Sequence, residues 1–198
     1  MLTGIYQSAG LLLIIGVFYI KDFFSIARYD QERSAEGSGR SWDYTIMLLT
    51  AAVLMIVQPV LLPGLGVTIE ARWALIIQAV GLLIALGGLG LNWWSRDSLK
   101  QFYAERVELQ PEHQIITNGP YATIRHPVFT SFFMIVIGCF LINPAVPTLL
   151  IMIYAFWDFS GAARQEEVLL SENLPGYADY MTHTSAFFPI PGQGRGRK

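Results

Sequence analysis

Arg125-His-Pro-Val-Phe-Thr-Ser-Phe-Phe-Met-Ile-Val-Ile-Gly-Cys-Phe-Leu-Ile-Asn143-Pro144-Ala-Val-Pro-Thr-Leu-Leu-Ile-Met-Ile-Tyr-Ala-Phe-Trp-Asp-Phe159 is two apolar runs divided by Asn143-Pro144. Proline ends one helix and opens the next while a polar residue supplies the turn, so the stretch reads as a tight helical hairpin, with one long kinked helix as the alternative. Its halves, Val128 to Ile142 and Ala145 to Phe159, are short for a hydrocarbon core. Upstream, Ile5 to Ile20, Thr45 to Leu62 and Trp73 to Trp94 are about long enough to cross one as helices. Apolar residues make up 53% of the 198 and charged ones 14%, with a mean hydropathy of +0.43. A soluble core of this size cannot bury so much, and lipid must cover the excess. The expectation is an all-α integral membrane protein of five transmembrane helices, the last two forming the hairpin.

The charges give an orientation independently of the apolar runs. Of 13 Lys and Arg, Lys21, Arg28, Arg33 and Arg40 lie between the first and second runs, and Arg96, Lys100, Arg106 and Arg125 between the third and fourth. Arg164, Arg195, Arg197 and Lys198 follow the fifth, which leaves Arg72. Cationic loops stay cytosolic, so five spans with the N-terminus outside and the C-terminus inside fit with one exception. The first run has its positive flank after it and no basic region before it, which reads as a retained anchor rather than a signal peptide.

A formal net charge of -2 argues against a nucleic-acid partner, which needs a concentrated basic face. Cys139, the single cysteine, suits neither an internal disulfide nor a multi-cysteine metal site and reads as a packing residue; no metal site is expected. The chain reads as one helical membrane domain over 1–188, its motif-bearing half 93–188, with a flexible loop Ser34 to Gly39 and a poorly ordered basic tail 189–198. In the third run, Gly81, Ala85, Gly87, Gly88 and Gly90 would let neighbouring helices approach closely.

Chemistry-bearing residues gather around the hairpin. Before it stands His113-Gln-Ile-Ile-Thr-Asn-Gly-Pro-Tyr-Ala-Thr-Ile-Arg-His-Pro127, and after it Glu166-Glu167. An arginine at the cytosolic end and a proline in the first helical turn explain Arg125 and Pro127 as a helix start. They give no reason for His126, whose imidazole beside unpaired backbone N–H groups is placed to bind an anion. Glu166-Glu167 alone reads as a solvated pair, and Trp93, Trp94, Phe102 and Tyr103 as an interfacial aromatic belt. A hairpin that returns both ends to one face changes the reading, because a ligand bearing a carboxylate and an ammonium suits a cationic pole opposite an anionic one.

The pattern formed by His113, Ile115, Ile116, Gly119, Tyr121, Arg125, His126 and Pro127, then Glu166, Glu167, Tyr177 and Tyr180, resembles the isoprenylcysteine carboxyl methyltransferase family and the related phospholipid N-methyltransferases. The resemblance covers roughly the C-terminal half of the chain. It implies S-adenosylmethionine as methyl donor in a cytosolic cofactor pocket, its adenine against the backbone near His113 to Ile116, with Tyr121 lining the pocket. Arg125 and His126 would meet the amino-acid carboxylate, Glu167 the ammonium, and Glu166 the reacting centre. The chain departs from the family pattern at Phe129, Ser131 and Ala162, where the family has tyrosine, glycine and, in eukaryotic members, arginine; Arg164 is the candidate to stand in for that arginine.

Methyl transfer from a sulfonium asks for alignment, exclusion of water and placed charge. A carboxylate acceptor needs no base, whereas an amine or thiol must lose a proton, for which Glu166 is the candidate. The implied partners are a lipophilic or small acceptor and membrane lipid, in the plasma membrane of a prokaryote or the endoplasmic reticulum of a eukaryote. The architecture is also similar to membrane sterol reductases, so an NADPH-dependent reductase is an alternative, as is a non-enzymatic membrane sensor or assembly protein. Acceptor and oligomeric state stay open.

Overall fold

Pro127 opens helix α4 (Pro127–Ile142) and Pro147 lies in the first turn of α5 (Val146–Asn173), in each case where a helix has no use for the missing N–H. The structure, a computed structural model, describes residues 3–32, 42–67, 69–102 and 114–190. Ahead of these two helices come α1 (Ile5–Glu32), α2 (Trp42–Leu61) and α3 (Ala71–Leu99), and α6 (Tyr177–His183) follows. The described residues form no strand beyond isolated bridges at Gly66–Ala145 and Ile124–Ser185. The loop Ser34 to Gly39, Tyr103, Arg106, His113 and residues 191–198 of the tail lie outside the described residues.

Rings join α4 to α5. Phe133 stacks on Phe156 at 4.2 Å between centroids, Phe132 on Phe159 at 4.8 Å and Phe129 on Phe159 at 5.6 Å, so residues later in α4 meet residues earlier in α5. The contact of α3 with α4 is the most extensive between described elements, and small residues make it possible. A Cβ on Gly81 would stand 2.8 Å from the Gly138 carbonyl, one on Gly138 2.7 Å from the Ala85 Cβ, and one on Gly88 2.9 Å from the Ser131 carbonyl. Gly90 faces open space and takes no part. Ser131 itself is buried and accepts a hydrogen bond from Asn92 Nδ2 at 2.8 Å, so its hydroxyl is satisfied within the contact.

Irregular backbone at the α4–α5 turn is satisfied from several sides, as it must be away from water. Ile142 O accepts from Gln7 Nε2 at 3.1 Å and Gln78 Nε2 at 3.2 Å, and Pro144 O from Val67 N–H at 2.7 Å. Asn143 donates to Gln58 Oε1 at 2.5 Å while its carbonyl accepts from the Thr148 hydroxyl at 2.7 Å. Four helices and the segment before α3 thus hold one short turn. At the opposite end of α1 and α3, Asp22 and Arg96 form a buried ion pair at 2.6 Å.

Outward-facing Leu13, Leu54, Leu83, Leu150 and Trp157 are exposed in the manner of a lipid-facing surface, and the chain is an integral membrane protein. Ile5–Phe24, Arg72–Leu99 and Val146–Asn173 are long and apolar enough to cross a membrane; Thr45–Leu61 and Pro127–Ile142 are shorter. Two expectations change. The fifth run belongs among the long helices, because α5 continues past Phe159 through Ser160-Gly-Ala-Ala-Arg-Gln to the two glutamates, which helix geometry accepts though hydropathy does not mark it. Arg96, expected in the loop after the third run, lies inside α3 and is 2% exposed.

Candidate functional site

The loop before α4 is held on two sides. Gly119 has φ +58°, and a Cβ there would lie 2.5 Å from Ser98 Oγ and 3.2 Å from Trp94 Nε1, so the loop closes against α3 through a residue without a side chain. It begins a short 3-10 turn (Gly119–Ala122) that buries Pro120 and Tyr121. On the other side, the chain after α6 runs alongside it. Arg125 N–H donates to Ser185 O at 2.8 Å, His126 N–H to Ala186 O at 2.9 Å, and the Thr130 hydroxyl to Phe187 O at 2.7 Å. Tyr180 donates its hydroxyl to Tyr121 O at 2.6 Å. The backbone N–H of His126 is therefore bonded, and the polar side chains around it make the charged face of the site.

Four charged side chains meet there. Arg125 Nε donates to Glu167 Oε1 at 2.7 Å, and its Nη1 donates to the carbonyls of Met181, at 3.1 Å, and Thr184. His126 places Nε2 3.0 Å from Glu167 Oε1 and Nδ1 3.3 Å from Glu166 Oε2. Consecutive residues on a helix point about 100° apart, so Glu166 and Glu167 reach the same imidazole from two directions. The ring lies 5.7 Å from each of Phe129 and Phe187 and its side chain is 2% exposed.

Burial works against a charged imidazole, but the hydrogen bonds from Glu166 and Glu167 together outweigh it and raise the His126 pKa above the ordinary histidine value. Burial pushes the Tyr180 phenol up to about 12 and, aided by Glu166 and Glu167, raises that of Tyr177 as well. Both phenols stay neutral wherever histidine titrates.

Of the residues singled out in the sequence, Arg125, His126, Glu166 and Glu167 are brought together. Gly119, Tyr121 and Pro127 shape the loop and helix start that carry them. Ile115 and Ile116 are half-buried in the preceding segment, Ile115 within reach of Gly176 ahead of α6. Arg164 is exposed and takes no part in these bonds, and Ala162 is half-buried. Sequence reasoning passed over the Thr184 to Phe187 strap and the Tyr180 hydroxyl. The strap gives no side-chain signal, since it acts through carbonyls; the Tyr180 position was visible as a motif residue without a partner.

The family model of the isoprenylcysteine carboxyl methyltransferase (ICMT) family matches residues 79–172. The nickel-cobalt-cadmium resistance protein NccN of Alcaligenes xylosoxydans xylosoxydans is 34% identical over 108 residues, which cover 54% of this chain and 50% of that protein. A protein-S-isoprenylcysteine O-methyltransferase of Tribolium castaneum is 24% identical over 189 residues, 91% of this chain and 65% of that one. The chain spans about half the length of the metal-resistance relatives it matches. The solved structure of the eukaryotic intramembrane Ras methyltransferase ICMT shares the fold, with a TM-score of 0.69 at 24% identity over 98% of this chain and 69% of that one. The stretch that matches the family model carries most of α3, all of α4, nearly all of α5 and the four ionisable side chains of the site, and over that stretch the chain is similar to the isoprenylcysteine carboxyl methyltransferase family.

Proposed function

We propose that the protein transfers a methyl group from S-adenosylmethionine to a lipophilic or small acceptor at the cytosolic face of a membrane. The observation that carries this reading is the cluster of Arg125, His126, Glu166 and Glu167 within the family's matched stretch. The residues fit the donor's amino-acid end. Bonds to Glu167, Met181 and Thr184 use Nε and Nη1 of Arg125, leaving its Nη2 edge for a carboxylate; Glu167 spends Oε1 on Arg125 and His126, leaving Oε2 for an ammonium. The backbone from residue 114 to Ile116 and the Tyr121 wall would take the nucleoside; His113, expected with them, lies outside the described residues.

The bound donor supplies an electrophilic methyl on a sulfonium. Glu166, half-buried beside the cluster, would face the reacting centre, stabilising positive charge there and accepting a proton from an amine or thiol acceptor; a carboxylate acceptor would need no base. The rings of Phe129, Phe132 and Phe159 offer the acceptor's apolar part a surface without hydroxyls and exclude water. Arg164 would act only by swinging round from its exposed position. In this reading residues 1–188 form one domain crossing the bilayer five times, α4 and α5 as a hairpin, N-terminus outside and C-terminus cytosolic, in the plasma membrane of a prokaryote or the endoplasmic reticulum of a eukaryote.

The test is equilibrium binding of S-adenosylhomocysteine to detergent-purified protein, with NADPH as the contrasting ligand. Binding of the first, lost in Arg125→Ala and Glu167→Ala, is expected. A folded sample that binds no S-adenosylhomocysteine overturns the reading.

A further inference from the structure

We propose that His126 is a positioning residue rather than a contact to the donor: as an imidazolium clamped between Glu166 and Glu167, it fixes the two carboxylates in the directions that donor and acceptor need. This rests on the methyl-transfer reading above and assigns one of its residues a different task. A ligand carboxylate would have to find a free ring nitrogen, and both nitrogens already face carboxylates at 3.0 and 3.3 Å. Phe129 and Phe187 pack against the ring at 5.7 Å between centroids, and the backbone N–H is taken by the Ala186 carbonyl.

Neutral imidazole carries one donor and one acceptor, so it would turn a lone pair towards one of the two carboxylates; the imidazolium donates to both. The charged groups facing the ring come from two elements. Glu166 and Glu167 come from α5 and favour the proton, while Arg125, from the preceding loop, shares Glu167 and opposes it. Tyr177 and Tyr180 on α6 are neutral phenols. Trp94 and Ser98 of α3, which meet the loop at Gly119, carry no charge. With the proton in place the four side chains sum to zero charge. Without it, the adjacent carboxylates lose the group that spans them and repel, and Arg125 alone must hold both.

Two measurements test this. The first is ¹⁵N NMR of ring-labelled histidine in the detergent-purified, ligand-free full chain, assigned with His113→Gln and His183→Gln. Both His126 ring nitrogens protonated at pH 7 is the expected result; one protonated nitrogen overturns the proposal. The second is S-adenosylhomocysteine affinity between pH 5.5 and 8.5, below the range where the ligand's own amine titrates. Wild type is expected to bind with constant affinity at low pH and to weaken by up to about tenfold per pH unit above the imidazolium pKa, the limit for one linked proton. His126→Gln, whose amide cannot donate at two opposite ends, is expected to bind about tenfold more weakly at pH 6 and with no pH dependence. Equal affinity of wild type and His126→Gln, or an unchanged pH profile in the variant, overturns the proposal. If the variant does not fold, the spectrum of the wild type decides alone. Absence of binding by folded wild type would instead bring down the methyl-transfer reading, and the spectrum would still report the protonation state.

Discussion

The two ends of the helix bundle are built from different chemistry. At the α4–α5 turn, Gln7, Gln58, Gln78 and Asn143 are buried amides that spend their hydrogen bonds on backbone carbonyls and on each other. At the other end, Arg125, His126, Glu166 and Glu167 are ionisable groups that keep an Nη2 edge and carboxylate oxygens in hand, with the Asp22–Arg96 pair also there. Neutral amides can be fully satisfied at modest cost, and a turn made that way has nothing left to offer a ligand. Charges are costly to bury and persist where they are paired, which is where geometry and protonation become functional variables. The sharpest way to separate the two ends is to break one interaction in each.

The largest loss of stability is expected from Asp22→Ala. It takes the Asp22 carboxylate away from the Arg96 guanidinium, which is 2% exposed, and breaking such a pair from one side costs about 3 kcal/mol. Thermal unfolding in detergent should show it, and the double variant Asp22→Leu with Arg96→Met should recover much of the loss. A single variant as stable as wild type would mean that the pair contributes nothing at that end.

Much of this contrast was legible in the sequence and some of it was not, for physical reasons. Apolar runs located helices α1 to α5 because lipid-facing surface needs apolar side chains whatever the tertiary contacts. They misjudged where helices end, since α5 past Phe159 stays helical while turning polar. An isolated amide inside an apolar run must find a partner, a signal that Gln7, Gln58 and Gln78 carried and the sequence reading did not use, although sequence does not say which partner. Arg125, His126, Glu166 and Glu167 stood out because charge beside a hairpin has few structural uses. What holds them, the carbonyls of Met181, Thr184, Ser185 and Ala186, was invisible, since every residue has a carbonyl and only the path of the chain decides which ones matter.

At the turn, Gln58→Leu tests the amide end. Asn143 Nδ2 loses its acceptor in a buried setting, at a cost of about 2 kcal/mol. Unfolding should be easier by that amount while S-adenosylhomocysteine affinity stays as in wild type. A loss of affinity matching the loss of stability would show that the two ends are coupled and that the division drawn here is false.

Gly119→Ala lies between the two in kind, a backbone change at the charged end. Its φ of +58° costs a side chain about 1 kcal/mol, and the new Cβ would press on Ser98 Oγ. Because the loop that ends in Arg125 and His126 leans on α3 at this point, affinity for S-adenosylhomocysteine should fall by about fivefold, the equivalent of that strain. Ser98→Ala in the same background removes the hydroxyl and should restore part of the loss; no recovery would place the effect in the positive φ alone.

The smallest expected effect is a pH dependence confined to one end. His126 has a folded-state pKa raised above its unfolded value, so its contribution to stability is fully present below the unfolded pKa of about 6.5 and is lost as pH rises through the folded one. Unfolding midpoints of wild type should decline from pH 6 towards pH 9, and those of His126→Gln should decline less. Gln58→Leu should follow the wild-type slope, displaced downwards by a constant amount, because an amide binds no proton in this range. A Gln58→Leu curve that flattened like that of His126→Gln would mean that the proton is felt through the whole bundle rather than at the charged end, and the amide turn would then have to be counted as part of the site.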